Sequence, residues 1–522
     1  MPVSRKEGAS LQQVSLVQPA SRGLNKQMAT SLLGPEWAVE ASNAVFDTSA
    51  RLAARQGWLN QTTATITGAP SISQLHELVK LDGSTQTIAS AGNKLYLGIS
   101  TPADITGTAT VTANNWQFVN FIGKCYGFQQ GMTPIVYDGS TSFANLAATD
   151  SGTVPKGNCA LVHSGRIWAS DSDLHTIKYS GLLAPTEWNP SSTSGPGSID
   201  MTSVWPGDTD TIQALAFYNG RMIVFGKNRI VIYADSTGSP LGINPNNLYV
   251  VDTVIGVGCI ARDSVQQIEG GDILFLSASG LESLQRVVLE KSNPLNNLSR
   301  NVRDYLALNL VGADKTQIRS VYSPENAFYL LSIPTSGLVF CFSTITRMED
   351  GSLRATEWDN FVPTAMFRSL DTNLYASLGT LTGGQIGKYS GYQDNGGSYT
   401  FQYSSGWMNA GDEIAPYFKI LKSVAALLWI SAQADVTFTW AFDFVPPVYS
   451  QGITLMSPGA SEWGIMEYGI DEWSGGMALQ DLIVSTSGYG QYLQIGLQAD
   501  INGADVALQQ FNLYTKIGRM AR

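Results

Sequence analysis

A tight turn, a short buried strand and a returning strand recur along this chain, and that repetition restricts the fold more than any other feature of the sequence. Its fullest form runs from Asp252 to Leu284, DTVIGVGCIARDSVQQIEGGDILFLSASGLESL. Ile255 to Ile260 is an apolar run interrupted by Gly256 and Gly258, and Ser264 to Ile268 is a second run. Gly270-Gly271-Asp272 is a tight turn, Ile273-Leu274-Phe275-Leu276 reads as a buried strand, and Ser279-Gly280 turns into Leu281 and Leu284. Apolar runs of about four to six residues bounded by Gly, Asp and Ser signal strands and hairpins. Weaker echoes follow the same plan. Gly92-Asn93-Lys94 leads into Leu95-Tyr96-Leu97, and Gly123-Lys124 leads into Cys125 to Phe128 with a return at Ile135-Val136-Tyr137. Ser164-Gly165-Arg166 leads into Ile167-Trp168-Ala169 and returns at Ile177 to Tyr179; Asn219-Gly220-Arg221 leads into Met222 to Phe225 and returns at Ile230 to Tyr233. Glu325-Asn326-Ala327 with Phe328 to Leu331, and Asp371-Thr372-Asn373 with Leu374-Tyr375-Ala376, complete seven hairpins spaced roughly 30 to 55 residues apart. This period predicts an all-β chain built on a β-propeller, six blades preferred with one hairpin outside it, seven possible. A set of unrelated hairpins in an ordinary β-rich protein is the competing reading, because such turns are common.

Composition narrows the function classes. Charged residues make up only 14% of 522 residues, against about a quarter in an average globular protein. A neutral polar surface with many turns suits a component of a long-lived extracellular assembly better than a metabolic enzyme. The net charge of −11 argues against a general nucleic-acid binder, which needs Lys and Arg to neutralise phosphates. It is compatible with a surface that DNA passes without adhering, since an acidic wall repels phosphate. A plain soluble acidic protein fits the same charge. Cys125, Cys159, Cys259 and Cys341 are far apart in sequence and read as buried, reduced thiols. The polar opening Met1 to Ser10 is no signal peptide, and no apolar run approaches the ~20 residues of a membrane helix.

Three regions differ in texture. Residues 1–63 read as an extended N-terminal arm with a short helix near Trp37 to Asn43 and a strand at Ala44-Val45-Phe46. Residues 64–400 hold the hairpins. They are interrupted near 293–312, where Leu295, Leu298, Val302, Leu306 and Leu310 fall at three- and four-residue spacing and predict an amphipathic helix. That helix covers the core or contacts another subunit. Residues 401–522 carry six strand signals, from Phe401 to Tyr514, and predict an antiparallel β-sandwich. Within them Trp463, Tyr468 and Trp473 recur at a five-residue step between acids, as a contact surface would or as aromatics pinned into the sandwich.

Catalytic signatures are missing. Three histidines, His76, His163 and His175, show no zinc spacing. There is no nucleophile elbow, no phosphate-binding glycine loop and no sialidase-type Ser-x-Asp repeat. Asp171 with Asp173, or Asp208 with Asp210, could offer oxygens to calcium but lack further carboxylates at loop spacing. The chain is therefore expected to be no enzyme and to hold no cofactor or metal.

A resemblance sharpens this. Gly23-Leu24-Asn25, then Gly34-Pro35-Glu36, then Asn43-Ala44-Val45-Phe46-Asp47, then Arg55-Gln56-Gly57 resemble the opening of tail proteins of short-tailed phages, which run Gly-Leu-Asn, Pro-Gly-Glu, Asn-Val-Asp and Arg-x-Gly. The first turn departs from that order, and the Trp-rich loop has no placed counterpart. The block from Ile255 to Leu284 and the close Phe511 to Arg519 resemble the middle and end of the same proteins. The family is the podovirus tail nozzle, also called tail tubular protein B or packaged-DNA stabilisation protein. The resemblance implies a structural virion protein made in the host cytoplasm and placed in the virion tail. It implies a homo-oligomer, typically a hexamer, joined to the head-to-tail adaptor and to tail fibre, spike or needle proteins. Duplex DNA would pass through its lumen during DNA ejection without specific binding, and the chain would not insert into a membrane. Gly256, Gly271 and Gly280 are read as turn-forming or close-packing residues, and Phe275 and Leu276 as core. A glycan-binding or glycan-cleaving surface β-propeller is the alternative reading, and a generic adhesin a weaker one.

Overall fold

The computed structural model describes residues 11–112, 115–205, 210–236, 244–291, 297–379, 383–409, 417–445, 449–456 and 478–520. The hairpin turns start from backbone chemistry. Ile122-Gly123, Ser164-Gly165 and Asn219-Gly220 each have two consecutive residues at positive φ, the two-residue turn whose twist matches that of antiparallel strands. Each turn joins the innermost strand of a blade to its second strand, and the return strand is the third.

Six four-stranded antiparallel blades result. The first holds Ile72–Val79, Thr85–Ala91, Lys94–Leu97 and Ala103–Asp104, and the second Gln117–Phe121, Lys124–Phe128, Ile135–Tyr137 and Ala144–Asn145. The third runs from Ala160–His163 to Gly197–Asp200, the fourth from Ile212–Tyr218 to Leu248–Ile255, and the fifth from Arg319–Ser323 to Arg354–Trp358. In the sixth, Met366–Arg368, Leu374–Ser377 and Ile386–Tyr389 are completed by Trp58–Asn60, which pairs antiparallel with Ile386–Tyr389. The seventh hairpin forms a three-stranded sheet, Gln266–Ile268, Asp272–Ser277 and Gly280–Ser283, between the fourth and fifth blades. Adjacent blades bury separate apolar clusters between them. Phe275 and Leu276 point to opposite faces of one strand, as pleating requires. Phe275 packs on Phe225 of the fourth blade with ring centroids 5.0 Å apart, while Leu276 enters the large core shared with the C-terminal sheets. Gly256 and Gly271 sit in turns at positive φ with room around them. At Gly280 a side chain would strike Ser299 and Asn297.

The C-terminal region is a two-sheet sandwich. Tyr417–Ile430 lies between Ala478–Ser485 and Val506–Met520, and Val506–Met520 also pairs with Leu11–Val17 and Leu52–Ala54. The facing sheet orders Trp37–Ser42, Tyr399–Ser405, Leu493–Ile501, Ala434–Phe442 and Tyr449–Leu455, and a parallel bridge from Ser42 to Glu357 fuses it to the fifth blade. Tyr403, Phe438 and Phe511 meet between the sheets. One continuous core runs from the three-stranded sheet through the fifth blade into this sandwich.

Two expectations are corrected. Trp37 to Ser42 is a strand, not a helix, because it is paired on one side with Gly23–Leu24 and on the other with Tyr399–Ser405; tertiary pairing overrides local helix preference. Of the helix expected over 293–312, the described residues 297–312 hold only α2, Arg303–Leu310, after a 3-10 turn at Arg300–Val302, and Leu295 lies outside the described residues. Leu298, Val302, Leu306 and Leu310 are all buried, as their spacing requires, but Leu298 lies in the turn before the 3-10 segment and hydrogen-bonds to Leu281 and Leu353. A further helix, α1, Leu284–Glu290, is capped by the Ser283 side chain. All four cysteines are buried and unpaired.

The joint between propeller and sandwich centres on Arg55. Its guanidinium is fully buried and binds Asp394 through two parallel bonds of 2.9 and 2.6 Å. Arg55 Nε donates to Asn43 Oδ1 at 3.2 Å, Asn43 Nδ2 donates to Asp359 and to the Thr400 carbonyl, and Asn360 donates to Asp394. Trp358 and Tyr399 cover the guanidinium, with ring centroids 5.2 and 4.2 Å from it. Burial lowers the Arg55 pKa, and the Asp394 hydrogen bonds and charge raise it further, so the net direction is upward. Gly57 follows because any side chain there would strike the Gln393 backbone.

Two stability measurements follow. Removing one partner of a buried ion pair strands the other charge at a cost of about 3–5 kcal/mol, so Asp394→Ala is expected to lower the denaturation midpoint sharply; an unchanged midpoint contradicts the role of the joint. Glu282, 1% exposed, has its pKa pushed up to about 7 by burial, against hydrogen bonds from Ser279 and others. A folded-state pKa above the unfolded one gives stability that is full below about pH 4.3 and lost as pH rises through 7. Glu282→Gln is therefore expected to be more stable than the parent at pH 8, by up to about 3 kcal/mol, and the difference should vanish near pH 4 in chemical denaturation.

Candidate functional site

The innermost strands of a propeller bring residues from many blades to one axis. At one end of that axis lie groups at or just before the starts of innermost strands: Ser73, Asn115, Asn158, Gln213, Arg262, Thr316 and Arg319. Arg262 and Asp263 belong to a short 3-10 turn whose charged pair interrupts the apolar block from Ile255 to Leu276. Asp263 takes Arg262 Nε and Nη2 at 2.8 Å each and Arg319 Nη1 at 3.0 Å. Arg262 Nη1 donates to the carbonyls of Asn158 at 2.7 Å and Asn115 at 3.1 Å, and Nη2 donates to Asn115 Oδ1 at 3.0 Å. Arg319 donates to the Ser73 carbonyl through Nε and Nη2, at 3.1 and 2.9 Å. Ser320 Oγ closes on the Asp263 carbonyl at 2.7 Å. The triad thus ties blades one, two, three and five to the three-stranded sheet across the axis. Burial alone would raise the Asp263 carboxyl, but the two guanidiniums outweigh it and hold it below the ordinary range.

Beside the triad opens a cavity of about 370 Å3 lined by Asn115, Gln129, Gln130, Asn158, Gln213, Ile260, Arg262, Asp263, Lys315 and Thr316. Its amides come from three blades. The Gln129 and Gln130 Oε1 atoms are buried and have no hydrogen-bond partner. Lys315 Nζ is turned onto the carbonyls of Leu310 and Ala313 at the end of α2. The larger recess of about 610 Å3 in the sandwich, beside Trp407 and Tyr492, is an open crevice with much apolar wall.

The residues singled out by sequence are dispersed. Asp171 accepts from the Lys156 and Ser172 amides and pairs with Lys178 at 2.7 Å; Asp173 accepts from His175 and Thr176. Asp210 caps the Lys227-Asn228 turn. These are turn carboxylates, and among the described residues no group of His, Cys, Asp or Glu is arranged to hold a metal. Asp208, Trp463, Tyr468 and Trp473 lie outside the described residues. His76 bonds to Asn120 at 2.8 Å and His163 stacks on Phe217. The axial triad and its amides have no motif spacing; the one local signal is the Arg262-Asp263 pair inside the most apolar stretch.

No protein-family model and no curated protein matches the chain. Solved structures with some similarity include the WD40 domain of Toxoplasma gondii coronin, at 11% identity over 67% of this chain and 87% of that one, TM-score 0.37. PorZ, a surface component of the type-IX secretion system of Porphyromonas gingivalis, matches at 10% identity over 62% of this chain, TM-score 0.34. The extracellular domain of the putative hybrid two-component system BT4673 from B. thetaiotaomicron matches at 12% identity over 66%, TM-score 0.30. The chain spans 36% of the PorZ chain and 50% of the BT4673 chain. At these TM-scores none bears on activity.

Because Asp263 is held down by two buried guanidiniums, its contribution to stability is present above the unfolded value near pH 3.9 and lost as pH falls through its lower folded value. Asp263→Asn is expected to be less stable than the parent at pH 7 and to lose part of the parent's acid sensitivity, read by denaturant titration at pH 7 and pH 3. Equal stability at pH 7 rules the triad out as the axial tie.

Proposed function

We propose that this chain is a structural, non-enzymatic subunit of the tail nozzle of a short-tailed phage, with copies arranged in a ring around a conduit that retains and releases the genome. The observation that carries the reading is where the resembling residues sit. Asn43, Arg55 and Gly57 converge on the Arg55–Asp394 joint, Gly23 packs against the Ala355 backbone, and Asn25 accepts from the Gln27 and Met28 amides in the turn that follows it. The likeness therefore lies in the joint that sets propeller against sandwich, not in isolated turns. The tied axis of the propeller fits the same reading, because a conduit then has to run between copies. The acidic balance suits a passage for phosphate: residues 401–522 carry eleven acids against five Lys and Arg. Head-to-tail adaptor above and fibre, spike or needle proteins around it are the partners this reading assigns.

A second reading, a glycan-binding surface propeller, is favoured by the amide-lined mouth of the axis. Cryo-electron microscopy of the protein in its particle separates the two. A closed ring around an axial channel wide enough for duplex DNA is expected. A peripheral copy with its propeller mouth facing outward and no common channel overturns the nozzle reading.

A further inference from the structure

We infer that the mouth of the propeller axis is a binding site for a neutral, polyhydroxylated ligand, a single sugar unit of a glycan. The inference rests on the second reading of the function and is independent of the nozzle. The charged groups at this mouth are already bonded within the protein. Arg262 uses all five N–H donors, on Asp263, Asn115 and Asn158. Asp263 is neutralised by two guanidiniums. Lys315 aims at the Leu310 and Ala313 carbonyls. The N–H donors of Arg262 are thus taken up within the protein and Lys315 is turned onto carbonyls, so the amides are the groups left to meet a ligand.

The amides are in the opposite state. Gln129 Oε1 and Gln130 Oε1 are buried acceptors without partners, and a buried polar group left unbonded costs about 1–3 kcal/mol. Gln130 Nε2 is held by the Ser172 carbonyl at 2.8 Å, which fixes that amide with its oxygen free. Gln213 Nε2 is held by Thr211 at 2.9 Å. A carboxamide accepts through its oxygen and donates through its nitrogen, and a hydroxyl does both, so adjacent hydroxyls on a ring match adjacent amides. Ile260 supplies the apolar wall on which the C–H face of a sugar rests. The cavity, about 370 Å3, falls in the range of small-molecule sites, roughly 300–1,000 Å3.

The test uses the full chain. Saturation-transfer NMR is run with glucose, galactose, mannose, rhamnose and N-acetylglucosamine at millimolar concentration, and with inorganic phosphate as the charged probe. The same panel is run on the double variant Gln129→Ala/Gln130→Ala, whose fold is checked by thermal melting, and on Gln213→Ala. The expected result is transfer to at least one neutral sugar, weakened about tenfold or more in the double variant, with none to phosphate. Sugar binding undiminished in both variants overturns the assignment to this mouth while leaving a glycan-binding propeller standing. No binding of any sugar sinks both, and phosphate binding lost in the variants overturns the neutral-ligand assignment.

Discussion

One buried guanidinium gives the joint between propeller and sandwich its direction. Arg55 sits where the two parts share an apolar core, whose contacts are not directional, and a short backbone bridge from Ser42 to Glu357. Its planar fork gives direction. Two bonds hold Asp394 after the sixth blade, one holds Asn43 beside the sandwich, and two aromatic rings clamp its faces. A lysine could supply the charge but not the fork or the stacking. The ion pair is best understood as specifying one arrangement of the two parts, because a buried pair is weak evidence for stability in itself.

The early strands are distributed with the same logic. Leu11–Val17 enters one sandwich sheet, Trp37–Ser42 the other, and Trp58–Asn60 closes the last blade. A segment with too few apolar residues for a core of its own is ordered by lending strands to three sheets. Since the sandwich, the fifth blade and the three-stranded sheet share one core, pulling on any of these strands loads sheets on both sides of the joint.

What could be read from the sequence was the buried middle of each blade. Second and third strands such as Met222 to Phe225 and Ile230 to Tyr233 are flanked by turns and nearly continuous in apolar character. The outermost strands were not legible: Ala103–Asp104 and Ala144–Asn145 are two residues long and lie at exposed edges, where short polar strands are the rule. Trp37 to Ser42 misled because Ala and Glu favour helix locally and its partners lie far away in sequence. Spacing of Leu298 to Leu310 reported burial correctly but overstated the helix, since a four-residue period is also met by a turn that leads into a 3-10 segment and a short helix. Of the axial mouth only Arg262-Asp263 left a trace, because its amides come from separate blades and meet only after the ring closes.

The sixth blade carries a consequence for synthesis. Trp58–Asn60 leaves the ribosome long before its partner Ile386–Tyr389, and at about 5–20 residues per second it waits roughly 15–65 s. Leu11–Val17 waits longer still for Val506–Met520. Blades one to four can pack pairwise as they emerge, yet the ring and the sandwich close only at the end, on contacts of very long sequence separation, which form slowly. The nascent chain thus carries open strand edges for most of its production, and its vulnerable period is the time before closure, not the folded state.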